Sequence, residues 1–322
     1  MTTIDNQVAI VVVTYKRKAL LQVLFDSYLA STRQPKDIFI VDNDCDPEVE
    51  QMCQVLGERL APVKVTWVAM TENTGGAGGF SKGVELAYQS GAEWIWIMDD
   101  DVKILPDALE KLEPWMSRGV KENHRVIQCQ RLNYDGSDFY WQYHFLNHLG
   151  IPNPIAPAGF KAGETSRKMN TACFEGGLFH RSIPETIGAP DKRFFIYWDD
   201  TIYGYLASKI TQPIIISDVL MQRTRSLDHF ELGKIRKLNS TSDMVRYYIM
   251  RNRGFMAKYI QLNGDYNPLV WRLGTLLTLA KEIIRLFITK SFKSGFKALM
   301  RGMKDGKKEW KNSDWRPMPP LK

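Results

Sequence analysis

Cysteine is scarce in this 322-residue sequence. The four present, Cys45, Cys53, Cys129 and Cys173, show neither a CxxC pair nor zinc-site spacing. That removes a cysteine-bound metal and leaves buried free thiols in a reducing compartment as the reading. Long hydrophobic runs are missing too, since no stretch reaches the roughly 20 uninterrupted apolar residues that span a bilayer. The opening "MTTIDNQVAIVVVTY" has no basic n-region, and its apolar run is only strand-length. No signal peptide is expected, and the chain is placed in the cytoplasm. There is no short internal repeat, and an apolar share of 44% excludes a disordered or collagen-like chain. Charge is scarce in one place and concentrated in another. Of the net +7, residues 281 to 311 hold ten Lys or Arg against Glu282, Asp305 and Glu309, so the remainder is close to neutral.

What is there reads as alternating strand and helix. "VAIVVVTY" is a β-branched run of the kind buried on both faces, followed by "KALLQVLFDSYLAS" at helical spacing. "DIFIVDND", "VKVTWVAM" and "EWIWIMDDD" read as further strands, with the helix "PEVEQMCQVLGERL" between the first two. The glycine-rich "ENTGGAGGFSKGVELAYQSG" reads as a loop and then a helix. The expected class is α/β, a mostly parallel sheet flanked by helices with a C-terminal helical extension. In such sheets ligands sit beyond the carboxyl ends of the strands, where Thr14, Tyr15, Arg17, Asp42, Asn43 and Asp99 to Asp101 all fall. Further on, "IPNPIAPAGFKAGE" reads as a loop, "FFIYWDDTIYGYLASK" as a strand running into a helix, and "PIIISDVLMQ" as a strand. Helix resumes near "NSTSDMVRYYIMRNRGFMAKYIQ". From Leu273 to Ile288 apolar residues mark one helical face, and Phe292, Phe296 and Leu299 extend the pattern among lysines. Leu273 to Ile288 suits either a membrane surface or a hairpin packed on the core; the lysine-rich part after Lys290 is expected at a membrane.

Three aspartates directly after "WIWIM" carry the chemistry. With period two along a strand, Asp99 and Asp101 project to the same side and repel unless a cation lies between them. Oxygen ligands of this kind suit Mg²⁺ or Mn²⁺, metals that commonly bridge diphosphates, whereas a solvated acidic turn is the plain alternative. "GGAGGF" fails as a dinucleotide fingerprint, because position 81 is Ser81 and the loop follows the third strand. Glycines before a helix still let backbone N–H groups approach an anion or sugar, or simply form a tight turn. In "YWDDTIYG", Asp200 is either a base placed for an attacking hydroxyl or part of an acidic first helical turn. His229 is either a third metal ligand or an ordinary surface or core histidine.

In order, "VVVTYKR", "IVDND", "NTGGAGGF", "IMDDDV", "EGGLFHR" and "FFIYWDD" resemble the GT-A, family 2 inverting glycosyltransferases, over roughly residues 8 to 255 including "YYIMRN". The loop, the triple Asp and the "WDD" pair look most like the bacterial galactofuranosyltransferases, with rhamnosyltransferases as near relatives. The resemblance implies a GT-A domain over 1–235, a basic helical region over 236–322, a nucleotide-sugar donor, and Mn²⁺ or Mg²⁺. Carried over by position, Thr14, Tyr15 and Arg17 lie at the nucleotide edge and Asp42 faces the uracil. Gly76, Ala77, Gly78, Gly79 and Phe80 shape the donor pocket, with Asp100 beside the ribose or sugar. Asp99, Asp101 and His229 hold the metal, Trp198 packs on the sugars with Asp199 on the acceptor side, and Asp200 is the base.

The expected function is therefore transfer of galactofuranose from UDP-galactofuranose, or of rhamnose from dTDP-rhamnose. The acceptor is a lipid-linked saccharide, as in O-antigen or other cell-surface polysaccharide assembly, on the inner face of the cell membrane. The chain is much shorter than the large polymerising galactofuranosyltransferases, which favours addition of one or a few residues. A sugar-nucleotide pyrophosphorylase would need a glycine-rich loop after the first strand, where "TYKRK" has none. A nucleic-acid-binding protein would spread its charge beyond the tail and show a known module, so nucleic acid is not an expected partner.

Overall fold

The structure, a computed structural model, describes residues 3–139, 144–152, 160–226, 229–232, 236–239 and 241–322. Its first half follows the expected alternation: β1 (Thr3–Thr14), α1 (Lys18–Leu29), β2 (Arg33–Asp42), α2 (Pro47–Leu60), β3 (Lys64–Ala69), α3 (Gly75–Gln89) and β4 (Trp94–Asp99). Next come β5 (Val102–Ile104), α4 (Ala108–Lys121), β6 (Val126–Leu132) and the short β7 (Phe145–Leu146), β8 (Ile151–Pro152) and β9 (Ser166–Lys168). They lead to β10 (Gly177–His180), α5 (Ser182–Ile187), α6 (Asp199–Ala207) and β11 (Ile214–Arg223). The chain ends with β12 (His229–Leu232), β13 (Arg236–Asn239), α7 (Asp243–Arg251), α8 (Arg253–Leu262), α9 (Pro268–Ile288) and α10 (Phe292–Lys311).

One nine-stranded sheet has the order β3-β2-β1-β4-β10-β6-β11-β5, with β9 beside β11. β1 to β4 pair in parallel, as do β6 and β11, while β10 runs antiparallel to both β4 and β6. The β-branched run in β1 divides by parity. Val8, Ile10 and Val12 enter the core on one face, and Ala9, Val11 and Val13 the core on the other. That is what a strand covered by helices on both sides requires.

Two stretches differ from the sequence expectation. "GGAGGF" is not a loop: α3 already begins at Gly75. The glycines serve close helix-on-strand packing, since a Cβ on Gly79 would stand 2.6 Å from Val13 Cγ1. Gly79→Ala is therefore expected to destabilise the fold by about 1–3 kcal/mol, read as a lower unfolding midpoint. Val13 is β-branched and cannot swing aside, so an unchanged midpoint would mean that α3 shifts freely. Second, Phe194 to Trp198 are not a strand but an irregular segment after a short 3₁₀ turn at Lys192–Phe194. The β12–β13 hairpin, which straddles the expected 235/236 division, had no counterpart in the sequence reading. Of the four free cysteines, Cys45 is exposed rather than buried.

The C-terminal helices share an apolar cluster with the sheet-bearing part of the chain, in which Trp198, Phe194 and Ala77 meet Ile249, Met256, Leu286 and Leu299. α10 lies close to the α7–α8 junction because Gly306 has no side chain there. A Cβ at that position would be 2.8 Å from the Arg251 carbonyl and 2.9 Å from that of Met250.

Candidate active site

The strands deliver their polar ends to one edge of the sheet. The Thr14 hydroxyl, at the end of β1, donates to Asp100 Oδ2 at 2.7 Å, and Arg17 Nη1 donates to Asp100 Oδ1 at 3.0 Å. Burial opposes the Arg17 charge, but Asp100, Asp101 and Asp99 outweigh it and raise the guanidinium pKa. Asp100 is 1% exposed; burial raises its pKa, while Arg17 and the Thr14 hydroxyl favour its charge. Asp101 Oδ2 lies 3.8 Å from both Arg17 Nη1 and Arg225 Nε, while its Oδ1 is buried with no hydrogen-bond partner.

Asp99 and Asp101 do converge, and a third carboxylate joins them. Oxygens of Asp99, Asp101 and Glu175 lie within 4.8 Å of one another. The sheet explains the newcomer. β10 pairs with β4 antiparallel, Gly177 opposite Ile97, so continuing the register by two residues sets Glu175 against Asp99. Arg131 on β6 and Arg223 on β11 both form ion pairs with Glu175. The buried surroundings of the Asp99 carboxyl, then Asp101 and Asp100, push its pKa up to about 7. Burial brings Arg131 down to about 10. An orphaned carboxylate oxygen among crowded hard-oxygen donors is a donor set that fits a divalent cation. His229 belongs to β12 by its backbone, but its side chain lies outside the described residues.

The second acidic pair lies on the same side of the molecule. Asp199 and Asp200 open α6, as the acidic-first-turn reading expects. Asp200 Oδ1 accepts from the Thr201 N–H at 2.5 Å and from its hydroxyl at 3.1 Å. Thr171 Oγ1 donates to the Thr201 carbonyl at 3.3 Å and Gly204 of α6 packs on Thr171 and Ala172, a few residues before Glu175, so one segment links the two acidic groups. Burial raises Asp200, and burial together with Asp200 pushes Asp199 up to about 8.

The loop carrying the pair is strained. Phe195, Tyr197 and Trp198 have φ of 64°, 76° and 73°, left-handed values that side-chain-bearing residues adopt only when held there. Asn252, fully buried at the α7–α8 junction, holds them. Its Nδ2 donates to the carbonyls of Phe194, Ile196 and Tyr197 at 2.9, 2.9 and 2.8 Å. The Ala77 N–H at the start of α3 donates to the Phe195 carbonyl at 3.0 Å. The Phe195 ring stacks on Tyr248 with centroids 4.8 Å apart.

Three expected donor or acceptor positions are used differently. Trp198 is 5% exposed and its indole N–H donates to the Ile249 carbonyl at 3.1 Å, so the ring packs the loop and offers no face to a sugar. Of Gly76 to Phe80 only Gly76 remains partly exposed; Ala77, Gly78, Gly79 and Phe80 are buried against the sheet. The Asp42 carboxylate, 1% exposed, accepts from the Asp44 and Asp46 amides and from Trp67 Nε1. Tyr15 stays exposed at the edge. Glu175 and Asn252 went unassigned from sequence although "EGGLFHR" and "YYIMRN" contain them. The only sequence signals were an acid just before a glycine pair and an Asn closing a helix.

A Rossmann-like sheet with carboxylates at its strand ends and a second acidic pair opposite is the arrangement of a GT-A glycosyltransferase. The chain belongs to glycosyl transferase family 2, whose signature matches residues 9–188. It is similar to galactofuranosyltransferase GlfT1 of Mycobacterium tuberculosis, 31% identical over 257 residues, covering 76% of this chain and 80% of that protein. GlfT1 of Mycolicibacterium smegmatis is 29% identical over 198 residues, 60% of this chain and 62% of that protein. Among solved structures, S. aureus TarS 1-349 superposes with a TM-score of 0.55 at 15% identity, covering 95% of this chain and 81% of that one. Its complex with UDP-GlcNAc gives 0.56 at 15% identity, over 94% and 81%. At that identity the likeness establishes the fold, while family membership establishes a glycosyltransferase and supports a nucleotide-sugar donor.

Proposed function

We propose that the protein is a metal-dependent, inverting galactofuranosyltransferase. It would move galactofuranose from UDP-galactofuranose onto a lipid-linked saccharide in cell-surface polysaccharide assembly. The observation that carries this reading is the convergence of Asp99, Asp101 and Glu175, with the helix opened by Asp199 and Asp200 packed on the 171–172 segment that leads to Glu175. The donor sugar is supported by the likeness to proteins named galactofuranosyltransferase.

In this mechanism Asp200 accepts the proton of the acceptor hydroxyl as the hydroxyl oxygen bonds to the anomeric carbon. The bond from that carbon to the diphosphate breaks on the opposite face, and its electron pair leaves with the nucleotide. One displacement inverts the configuration. Raised by burial, the Asp200 carboxylate is a stronger base than an exposed one. Thr14 and Arg17 fix Asp100 beside the ribose or sugar, Tyr15 borders the nucleotide edge, and Asp199 stands on the acceptor side. Asp99 and Asp101 would hold Mn²⁺ or Mg²⁺, with Glu175 or His229 completing the set. When bound, the ion offsets charge developing on the departing diphosphate. In the proposed division of labour, residues 1–235 carry the chemistry and 236–322 attach the enzyme to the cytoplasmic face of the membrane.

A panel of UDP- and dTDP-sugars, with and without Mn²⁺, tests the reading. UDP-galactofuranose should turn over only with the metal. Turnover of dTDP-rhamnose alone would transfer the assignment to that sugar. Asp101→Asn is expected to abolish Mn²⁺-dependent donor binding by calorimetry. Wild-type metal stimulation in this variant would remove Asp101 as a ligand.

A further inference from the structure

α9 buries a mixed side and exposes an apolar one. Its buried side holds Trp271, Gly274, Thr278, Glu282, Arg285 and Leu286, while the side facing outward holds Leu269, Leu273, Leu276, Leu277, Ile284 and Phe287. Leu269 is 74% exposed, Phe287 67% and Leu276 60%, and Phe292 and Phe296 at the start of α10 continue the same patch. An ordinary surface helix hides its leucines and displays its charges. Contiguous apolar exposure of this kind marks an interaction surface.

The charge around the patch says which kind. Between residues 266 and 304 the one acidic residue is Glu282, fully buried and paired with Arg285. Arg272, Lys290, Lys293, Lys297, Arg301 and Lys304 are all exposed. Two copies of such a face would repel each other, whereas an anionic lipid surface complements both the leucines and the cations. No helix among the described residues is long and apolar enough to cross a membrane, so α9 would lie in its plane. At 21 residues, the helix is roughly 30 Å long.

The same helix touches the catalytic loop. On its inner side Arg285 Nη1 donates to Glu282 Oε1 at 2.6 Å, and Leu286 lies in the apolar cluster against which Tyr197, two residues before Asp199, packs. The expectation from sequence placed membrane contact chiefly after Lys290. The structure shifts it forward, because much of α10 packs on α7 and α8 through Leu299, Gly302 and Gly306.

We infer that the outer face of α9, continued by Phe292 and Phe296, docks in the plane of an anionic bilayer and presents the Tyr197–Asp200 loop to an acceptor held there. This rests on the glycosyltransferase reading only for the identity of the acceptor. The test uses the full chain and vesicles of phosphatidylcholine with or without phosphatidylglycerol, in a sedimentation assay. Wild type should bind the anionic vesicles and largely ignore the neutral ones. The triple variant Leu273→Glu, Leu276→Glu, Phe287→Glu should lose about tenfold or more of that binding, since exposed apolar area drives insertion. Lys293→Glu with Lys297→Glu should lose binding and its salt dependence together. Transfer to a water-soluble saccharide should be equal in wild type and the triple variant, which keeps a failure of docking distinct from a failure of the enzymatic reading. Unchanged vesicle binding in the triple variant overturns the inference. So does equal binding to neutral vesicles, or a wild-type dimer in solution that the triple variant makes monomeric.

Discussion

Asp200→Asn is expected to cut sugar transfer by about 10²–10⁴-fold, the range that a positioned general base supplies. The amide cannot take the acceptor proton, yet it keeps the shape of the side chain and can still accept from the Thr201 N–H and hydroxyl. The strand-end carboxylates and Arg17 are untouched, so donor affinity measured by calorimetry should stay within a few-fold of wild type. Those two readouts separate catalysis from folding. Normal turnover would remove Asp200 as the base. A parallel collapse of donor binding would mean that the residue holds the site together and does not carry the proton.

Asn252→Leu should produce the largest combined loss of stability and activity. The substitution keeps the volume but removes the only side-chain amide serving the carbonyls of Phe194, Ile196 and Tyr197 among the described residues. Leaving a buried polar group unpaired costs about 1–3 kcal/mol, and the Ile196 and Tyr197 carbonyls carry the loss, since that of Phe194 still accepts from Arg251 Nη2 and the Ile196 N–H. Trp198 and Tyr197 would lose what holds them in left-handed backbone. Asp200 follows directly in the chain, so kcat should fall with the unfolding midpoint while KM for the donor changes little. Asn252→Asp should fare no better, because a carboxylate accepts where the loop needs a donor. A variant with wild-type midpoint and kcat would show that Ala77, Trp198 and the Phe195–Tyr248 stack suffice to hold the loop.

Much of the first half is legible in the sequence. Runs such as "VAIVVVTY" and "EWIWIMDD" can be buried on both faces only inside a sheet covered by helices, and the residues that break each run fall at strand ends. Asp99 and Asp101 converge as the period-two reading expects, although Asp101 lies in the turn between β4 and β5 and not on the strand. "GGAGGF" misled because glycine is read locally as a turn former, whereas here its missing side chain lets α3 lie against Val13. Trp198 misled as well. Its role against the sugars came from the family resemblance, but its burial was settled by helices arriving some fifty residues later.

Sequence alone determined the parallel half of the sheet, its acidic edge and the two-sided character of the C-terminal helices, because each is written in periodicities of two or 3.6 residues. Tertiary structure decided what depends on pairing across long stretches of chain. The antiparallel register of β10 brings Glu175 to Asp99, and the α7–α8 junction sets Asn252 under a loop more than fifty residues away. Packing also decided which side of α9 faces outward. Such choices are made by which surfaces bury one another, and no local spacing records them.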